Sequence, residues 1–432
     1  MHILYVHQNF PAQFGHIGTR LVERQGWKIT FVTNAAGTDA GSIERVVYKV
    51  AGGATKRNHF CSCTFENTIW HCDGVYQALK PRTDLKPDLI VAHSGFGSSL
   101  FLRELYPQVP VINLFEFYYH TGGPDCDMGF RHDLGWSLPD AYLHRARARN
   151  AMILLDLQNC DAGYTPTRFQ FSRFPAEYQP KLRVIFDGID RSTYHGHGEE
   201  LRPCPNQRRV RQILGVSVPP STRVITYVAR GFESMRGFDI FMKTAQRIYQ
   251  QYPDALFFVV GSDRICYGDD QNHLDGAVSF REWVLSKDQY DLTKFRFVGM
   301  LPAGTLAQLL AAADLHIYLT APFVLSWSLM NALSCGAVVL GSRTAPVLEM
   351  IHDGTNGLLE DFFDIEGLAR TALRVLKDPA AFRPLGRSAE TLITDQYSLD
   401  AVMPRFVDFY NEARRVQVET RMTKPEVRIK SE

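Results

Sequence analysis

Short apolar runs punctuate the chain from its first residues. Residues 2–7, 28–33, 46–50, 88–92 and 109–114 are brief, rich in β-branched and aromatic side chains, and apolar at successive positions, so they read as strands. Between them, apolar positions three and four apart predict helices over 15–24, 67–79 and 98–105, then a long helix over 141–156 and a further strand over 181–187. Strands apolar on both faces, each followed by a helix, specify a parallel sheet covered on both sides. The stretch TYHGHGEELRPCPNQ (193–207) breaks the pattern with Gly, Pro and charge and reads as a linker. The alternation then restarts. Strands are expected over 223–228, 255–260, 295–298, 315–319 and 337–340, and helices over 237–250, 305–312 and 326–335, with a polar insertion and a short helix after 260. The expected architecture is α/β: two Rossmann-like βαβ domains, 1–197 and 198–399, facing a central cleft, with a helix at about 400–417 packing back on the first. Ligands in such sheets bind outside the carboxyl ends of the strands. The polar tail from 420 onward is expected to fray.

Composition changes this picture little. A chain of 432 residues can bury two cores. A net charge of +1 gives no support to a nucleic-acid partner. No apolar run reaches the roughly 18–20 residues that span a bilayer, so no transmembrane segment is expected. The opening MHILYVHQNF lacks the basic and long apolar regions of a signal peptide. Eight cysteines in a chain of this length do not make a disulfide framework. A cytoplasmic location follows as the expectation.

Two local patterns suggest anion chemistry. In YVARGFESMRGFD (227–239), Arg230 follows a strand and Arg236 precedes a helix. Two guanidinium forks at one strand–helix turn suit a diphosphate; solvated surface arginines are the plainer reading, and the pattern alone does not choose. In PFVLSWSLMNALSCGAVVLGS (322–342), a helix beginning near Ser326 presents free N–H groups and the hydroxyls of Ser326 and Ser328. Its plainer reading is a core helix with Ser326 as N-cap. Three other stretches carry less. HFCSCTFENTIWHC (59–72) holds His59, Cys61, Cys63, His71 and Cys72, all ligand types, but its spacing does not match common zinc sites. Buried thiols are the favoured reading and no metal is expected. HRARARN (144–150) reads as a solvated basic face. Asp263 with ICYGDDQNHLDGAVS (265–279) reads as a surface excursion, since its acids do not fit a calcium loop.

A set of blocks in fixed order carries a resemblance. GSRTAPVLEMIHDGTNGLLEDFFD (341–364), KFRFVGMLPAGTLAQLLAAADLHIYLT (294–320), the pair Arg230 and Arg236-Gly237, and VIFDGID (184–190) resemble the retaining nucleotide-sugar glycosyltransferases of family four, which have the GT-B fold. HQNFPAQFGHIG (7–18), YTPTRFQFSRFP (164–175) and PFVLSWS resemble a subgroup that begins HQNFPxQF. The resemblance implies that the second domain binds the donor and the first the acceptor. It places Arg230 and Arg236 on the leaving diphosphate as catalytic groups. Ser326, Trp327, Ser328 and Gly15 fall at phosphate and sugar, and Met300 and Leu301 near the base. Gln8, Asn9, His93, Tyr119 and His120 fall at the acceptor. It also implies a UDP- or GDP-sugar co-substrate, no metal and no further cofactor. The acceptor, whether glycan, lipid-linked or small molecule, is left unnamed, and a homodimer is left open.

The chain departs from that pattern at three positions. Two glutamates that usually meet the donor sugar and the ribose become Phe323 and Asn331. An amide at 331 can still accept from one hydroxyl, but loses charge-assisted bonds worth about 1–2 kcal/mol. Glu116 stands where a histidine often follows the strand, and a carboxylate there is a plausible base or hydroxyl orienter. Two alternatives accompany the transferase reading: a GT-B protein that binds sugar nucleotide or scaffolds with impaired turnover, and a sugar-nucleotide epimerase, which would need carboxylates that this donor loop lacks.

Overall fold

The computed structural model describes residues 1–35, 41–96, 99–121, 129–136, 139–196 and 211–423, with side chains as far as 415. Most of the expected linker, 197–207, lies outside these residues. The chain divides into two compact units. One comprises Met1–His120, Pro139–Gly188 and Leu399–Glu432; the other comprises Thr121–Leu138 and Ile189–Ser398.

The first unit is built on strands β1 (His2–Val6), β2 (Lys28–Thr33), β3 (Glu44–Val47), β4 (Leu89–His93), β5 (Val111–Leu114), β6 (Ala162–Thr165) and β7 (Leu182–Val184). All are parallel, in the order β3-β2-β1-β4-β5-β6-β7. The apolar opening is explained by burial on both faces. Ile3 and Tyr5 enter one core with the helix Phe14–Gln25 and with Phe406, Phe409 and Tyr410 of the helix Leu399–Thr423. Leu4 and Val6 enter the opposite core with Val75, Leu79 and Leu157. Tyr5 and Tyr410 share a buried hydroxyl contact of 3.3 Å.

Some expected elements shift. The strand expected over 46–50 is Glu44–Val47, an edge strand in which only Val46 is buried, so its apolar signal is weak. The helix expected over 98–105 is the single turn Leu102–Leu105, with Pro107 close behind it. The strand AGYT, β6, is not legible because two of its four residues are small; Gly163 is required there, since a Cβ would lie 2.6 Å from Phe115. Cys72 is buried, but Cys61 and Cys63 stay half-exposed, their thiols directed at the carbonyls of Ala141 and His59. On the basic helix face, Arg145 and Arg149 lie over the rings of Phe60 and Tyr119 rather than free in water.

The second unit begins with the hairpin β8 (Arg211–Ile213) and β9 (Val216–Val218), whose turn residues Leu214 and Gly215 both have positive φ. Its main sheet contains β10 (Arg223–Gly231), β11 (Ala255–Ser262), β12 (Phe295–Gly299), β13 (Leu315–Tyr318), β14 (Val339–Ser342) and β15 (Leu358–Glu360), all parallel, in the order β12-β11-β10-β13-β14-β15. The helices Phe238–Gln251 and Ile365–Lys377 cover one face; Leu309 and Ala312 of Ala303–Ala312, with the hairpin, cover the other. The strand expected over 337–340 starts two residues later. After the helix Trp327–Ser334, Gly336 turns left-handed (φ 65°) and Ala337 N–H closes back on Ala332 O at 3.1 Å.

One segment changes unit. Sequence boundaries assign residues 121–138 to the first domain, whereas they cluster with the second. Among the described residues, Phe130 packs between Phe362 and Phe363, and Trp136 stacks on His273 at 4.6 Å. Arg131, 6% exposed, forms a two-pronged ion pair with Asp239, itself 2% exposed, at 3.0 and 2.6 Å. Among the described residues, no helix is long and apolar enough to cross a membrane.

Candidate functional site

In each sheet the strand order reverses beside the first strand laid down: between β1 and β4 in the first unit, and between β10 and β13 in the second. Open α/β sheets bind ligands at such switch points. Candidate chemistry lies at the carboxyl end of both.

In the second unit, β10 ends in Arg230-Gly231. A one-turn helix, Ser234–Arg236, then leads through left-handed Gly237 (φ 62°) into the helix Phe238–Gln251. A side chain at 237 would meet Leu319 at 2.9 Å and Phe362 at 3.1 Å, so both conformation and space require glycine. This turn aims Arg236 across the end of β13. Its guanidinium donates to Thr320 Oγ1 at 2.7 Å and to the Val324 carbonyl at 3.1 Å, with Tyr318 Oη at 3.5 Å. Arg236 is 7% exposed and has no carboxylate within ion-pair distance among the described residues. The buried Glu233 carboxylate acts on it electrostatically without forming an ion pair, and a buried cation that lacks a direct partner is expected where an anionic ligand completes the pair. Arg230 behaves differently. Its side chain is exposed and is not brought to Arg236 by any contact among the described residues; its carbonyl accepts from Ser262 Oγ at 2.6 Å.

The helix Trp327–Ser334 starts beside Arg236. Ser326 is its N-cap, with Oγ accepting from Ser328 N–H at 3.2 Å, and Ser326 N–H donates to Tyr318 Oη at 3.1 Å. The same tyrosine therefore touches the helix start and Arg236. The cap and Tyr318 take the N–H groups of Ser328 and Ser326, so what the helix start offers an anion is chiefly its positive end. One turn on, Asn331 is 8% exposed, and no side-chain hydrogen bond forms to its amide among the described residues. Met300 is 62% exposed after β12 at the edge of the sheet, and Leu301 is half-buried against the core beneath the hairpin.

Two acids missed in the sequence hold this turn in place. Glu233, fully enclosed, accepts from the backbone N–H groups of Cys266 and of Tyr267, the latter at 2.8 Å. Asp270, 2% exposed, accepts from Ser234 N–H at 2.6 Å and Ser234 Oγ–H at 2.7 Å. Burial pushes Glu233 up to about 7 and Asp270 up to about 6. The insertion 263–279 is thus no surface excursion: it is latched to the Arg236 turn by two buried carboxylates. The signal was present in FESMRG and YGDD, but the partners lie more than 30 positions apart.

In the first unit, His7 follows β1, His93 ends β4 and Glu116 follows β5. His93, 1% exposed, holds its Nδ1–H on the Ser94 carbonyl at 2.8 Å, which turns Nε2 toward Glu116 Oε2 at 3.6 Å. Gln13 Nε2 donates to the other Glu116 oxygen at 2.7 Å. Burial works against the charged carboxylate, but His93, Gln13 and His7 outweigh it and hold Glu116 below its ordinary range. His7, 2% exposed, sets its ring edge-on to His93 at 5.0 Å; burial, and after it the neighbouring imidazole, push it down to about 3, so it stays neutral. Phe96, 41% exposed, stacks over His7. The structure thus joins Glu116 and His93 and adds His7 and Gln13, both inside the quoted block HQNFPAQF.

The other expected residues are placed as follows. Gln8 uses its backbone to tie β1 to Phe96 and Asn34. Asn9 is exposed, with its N–H on His7 Nδ1 at 2.9 Å. Gly15 is explained locally, since a Cβ would collide with Pro11. Tyr119 is fixed through its backbone to Asn150, and His120 Nε2 donates to the Arg173 carbonyl at 2.7 Å. Among the described residues no cluster of three or more His, Cys, Asp or Glu side chains could hold a metal; His71 Nδ1 contacts Tyr48 Oη at 2.7 Å.

A neutral, equally sized side chain separates the charge of Glu116 from its bulk. Glu116→Gln is expected to lower kcat up to about 100-fold, as misplacement of a reacting group does, while leaving the donor KM within about twofold. Steady-state kinetics checks this, and a change confined to the donor KM would contradict a role at the acceptor.

Residues 25–193 match the model of the glycosyl transferase family 4 group, and residues 213–391 match that of the glycosyl transferases group 1. N-acetyl-alpha-D-glucosaminyl L-malate synthase of Bacillus anthracis is 28% identical over 110 residues, covering 26% of this chain and 29% of that protein. D-inositol 3-phosphate glycosyltransferase of Corynebacterium kroppenstedtii is 25% identical over 258 residues, covering 60% and 53%. The chain spans about a third to a half of the length of these curated relatives. Among solved structures, HepE of Anabaena, in complex with UDP and glucose, aligns with a TM-score of 0.66 at 15% identity over 95% of this chain and 100% of that one. Sucrose-phosphate synthase of Thermosynechococcus elongatus aligns with a TM-score of 0.70 at 16% identity over 96% and 99%. The chain thus carries a region of the glycosyl transferase family 4 group ahead of a region of the glycosyl transferases group 1, on the GT-B fold.

Proposed function

We propose that this glycosyltransferase moves a sugar from a nucleotide diphosphate sugar to an acceptor hydroxyl, with retention at the anomeric carbon and without a metal. The observation that carries the reading is Arg236, a buried guanidinium with no carboxylate partner among the described residues, held at the switch point of the second sheet beside a helix N-terminus. A diphosphate supplies the direct partner that the guanidinium lacks. HepE, solved with UDP and with UDP-glucose, supports a donor of that type. The names of the two curated relatives, with L-malate and D-inositol 3-phosphate in them, support a small polar acceptor.

In this reaction the bond between the anomeric carbon and the β-phosphate oxygen breaks, and a bond to the acceptor oxygen forms on the same face. The acceptor proton passes to the departing phosphate oxygen, so no enzyme nucleophile is required. Arg236 and the positive end of the helix Trp327–Ser334 stabilise the charge that grows on the leaving group. Asn331 takes a ribose or sugar hydroxyl. Glu116, fixed by Gln13 and His93, accepts from and orients an acceptor hydroxyl. The test is proton NMR of the product formed from α-linked UDP- and GDP-sugars in the presence of a chelator. An α-linked product supports the reading; a β-linked product, or turnover that appears only on adding a divalent metal, overturns retention or metal independence respectively.

A further inference from the structure

The insertion 263–279 follows the second unit's β11 and is fastened by several buried bonds. Glu233 takes two of its backbone N–H groups and Asp270 takes two donors of Ser234. Gly231 lets it approach so closely that a Cβ would collide with the Arg264 carbonyl and lie 2.9 Å from Cys266 Sγ. Buried carboxylates committed to backbone donors fix position rather than merely fold a loop.

The fastening presents one side chain, Tyr267. Its ring lies under the Arg236 guanidinium, 5.3 Å from ring centroid to the guanidinium carbon, and against Phe323 of the donor loop at 5.2 Å. The ring is half-buried, and its hydroxyl makes no hydrogen bond among the described residues. The edges of Arg236 are turned to Thr320 and Val324 and one face is covered by Tyr267, so the N–H groups left for an anion are few and their direction is set. The phenol thus lies beside Arg236 on a wall otherwise made apolar by Phe323.

We propose that Tyr267 is a specificity-determining residue of the donor site: its ring holds Arg236 for the diphosphate, and its hydroxyl bonds a hydroxyl of the transferred sugar. This rests on the donor-site reading above. It assigns the polar contact to the insertion rather than to the donor loop, whose side chain at 323 cannot make one.

The test compares Tyr267→Phe with wild type by calorimetric titration of UDP and GDP and of UDP-glucose and GDP-glucose. The variant keeps the ring and removes only the hydroxyl. For the base that wild type accepts, the nucleoside diphosphate is expected to bind Tyr267→Phe within about twofold of wild type. The sugar nucleotide is expected to bind about five- to tenfold more weakly, the effect of one hydrogen bond. Equal weakening of both ligands would mean that Tyr267 acts only through Arg236, and no weakening of either would mean that the hydroxyl is idle; both overturn the proposal. Wild type that binds none of the four ligands would instead overturn the donor-site reading itself, and this inference with it. Tyr267→Ala adds a second readout, since loss of the ring is expected to weaken the nucleoside diphosphate as well, and unchanged affinity would remove the ring from its role.

Discussion

Arg236→Ala is expected to lower kcat for release of nucleoside diphosphate about 100- to 1,000-fold, the loss that follows removal of one preorganised donor from a developing oxyanion. The charge on the leaving diphosphate grows along the reaction, so an interaction with it is stronger in the transition state than in the bound donor. The drop in kcat should therefore equal or exceed the rise in KM. A second consequence distinguishes a ligand-binding arginine from a structural one. Arg236 forms no ion pair among the described residues, so its removal should cost the unliganded protein only its bonds to Thr320 and Val324 and its contact with Tyr267, less than the loss of a buried ion pair. Thr320 keeps a second partner in its own chain, the Ala321 carbonyl at 2.9 Å. Steady-state kinetics and calorimetric melting check the two halves. A variant that lost stability strongly, or changed only KM, would contradict the assignment.

The opposite outcome is expected at Arg131. Its guanidinium is 6% exposed and paired through both nitrogens with Asp239, which is 2% exposed; Asp133 and the Ser234 carbonyl complete the shell. Arg131→Ala leaves a carboxylate buried without its counter-charge, which costs about 3–5 kcal/mol. The double variant Arg131→Ala with Asp239→Ala should recover part of that loss, because the stranded charge is removed with its partner. Calorimetric melting of the two variants checks this. Single and double variants of equal stability would mean that the pair adds nothing beyond packing. Phe130 and Trp136 on either side hold the segment through Phe362, Phe363 and His273, so its attachment to the second unit does not rest on the ion pair alone.

The two kinds of arginine show what the sequence could reveal. Parallel sheets were legible because strands buried on both faces leave a continuous apolar signature, as in ILYV, and because strand–helix alternation has its own period. The places of Arg236 and Ser326 at turns that lead into helices were legible because strand–turn–helix motifs are local: the residues that set the turn lie within a few positions of it. Arg131 was not, since its partner Asp239 is 108 positions away and no local pattern links them. Glu233 and Asp270 were missed for a related reason. Acids beside an expected phosphate site look misplaced until the backbone donors they accept are known, and those come from a distant insertion. His7, His93 and Glu116 each ended a strand that could be read, but only the strand order β1-β4-β5 brings them together. Edge elements failed because a strand with one buried residue, such as Glu44–Val47, carries little periodicity.

Ligand binding to the second unit decides whether its buried cation is a donor site. The measurement is the melting temperature of wild type and Arg236→Ala in a chelating buffer, with UDP, GDP and their glucose conjugates added separately. A ligand at 100 times its dissociation constant stabilises the form that binds it by about 2.7 kcal/mol. At least one nucleoside diphosphate and its sugar conjugate are expected to raise the melting temperature of wild type, and neither to move that of Arg236→Ala. No shift in wild type with any of the four, or equal shifts in both proteins, would contradict a diphosphate site at Arg236.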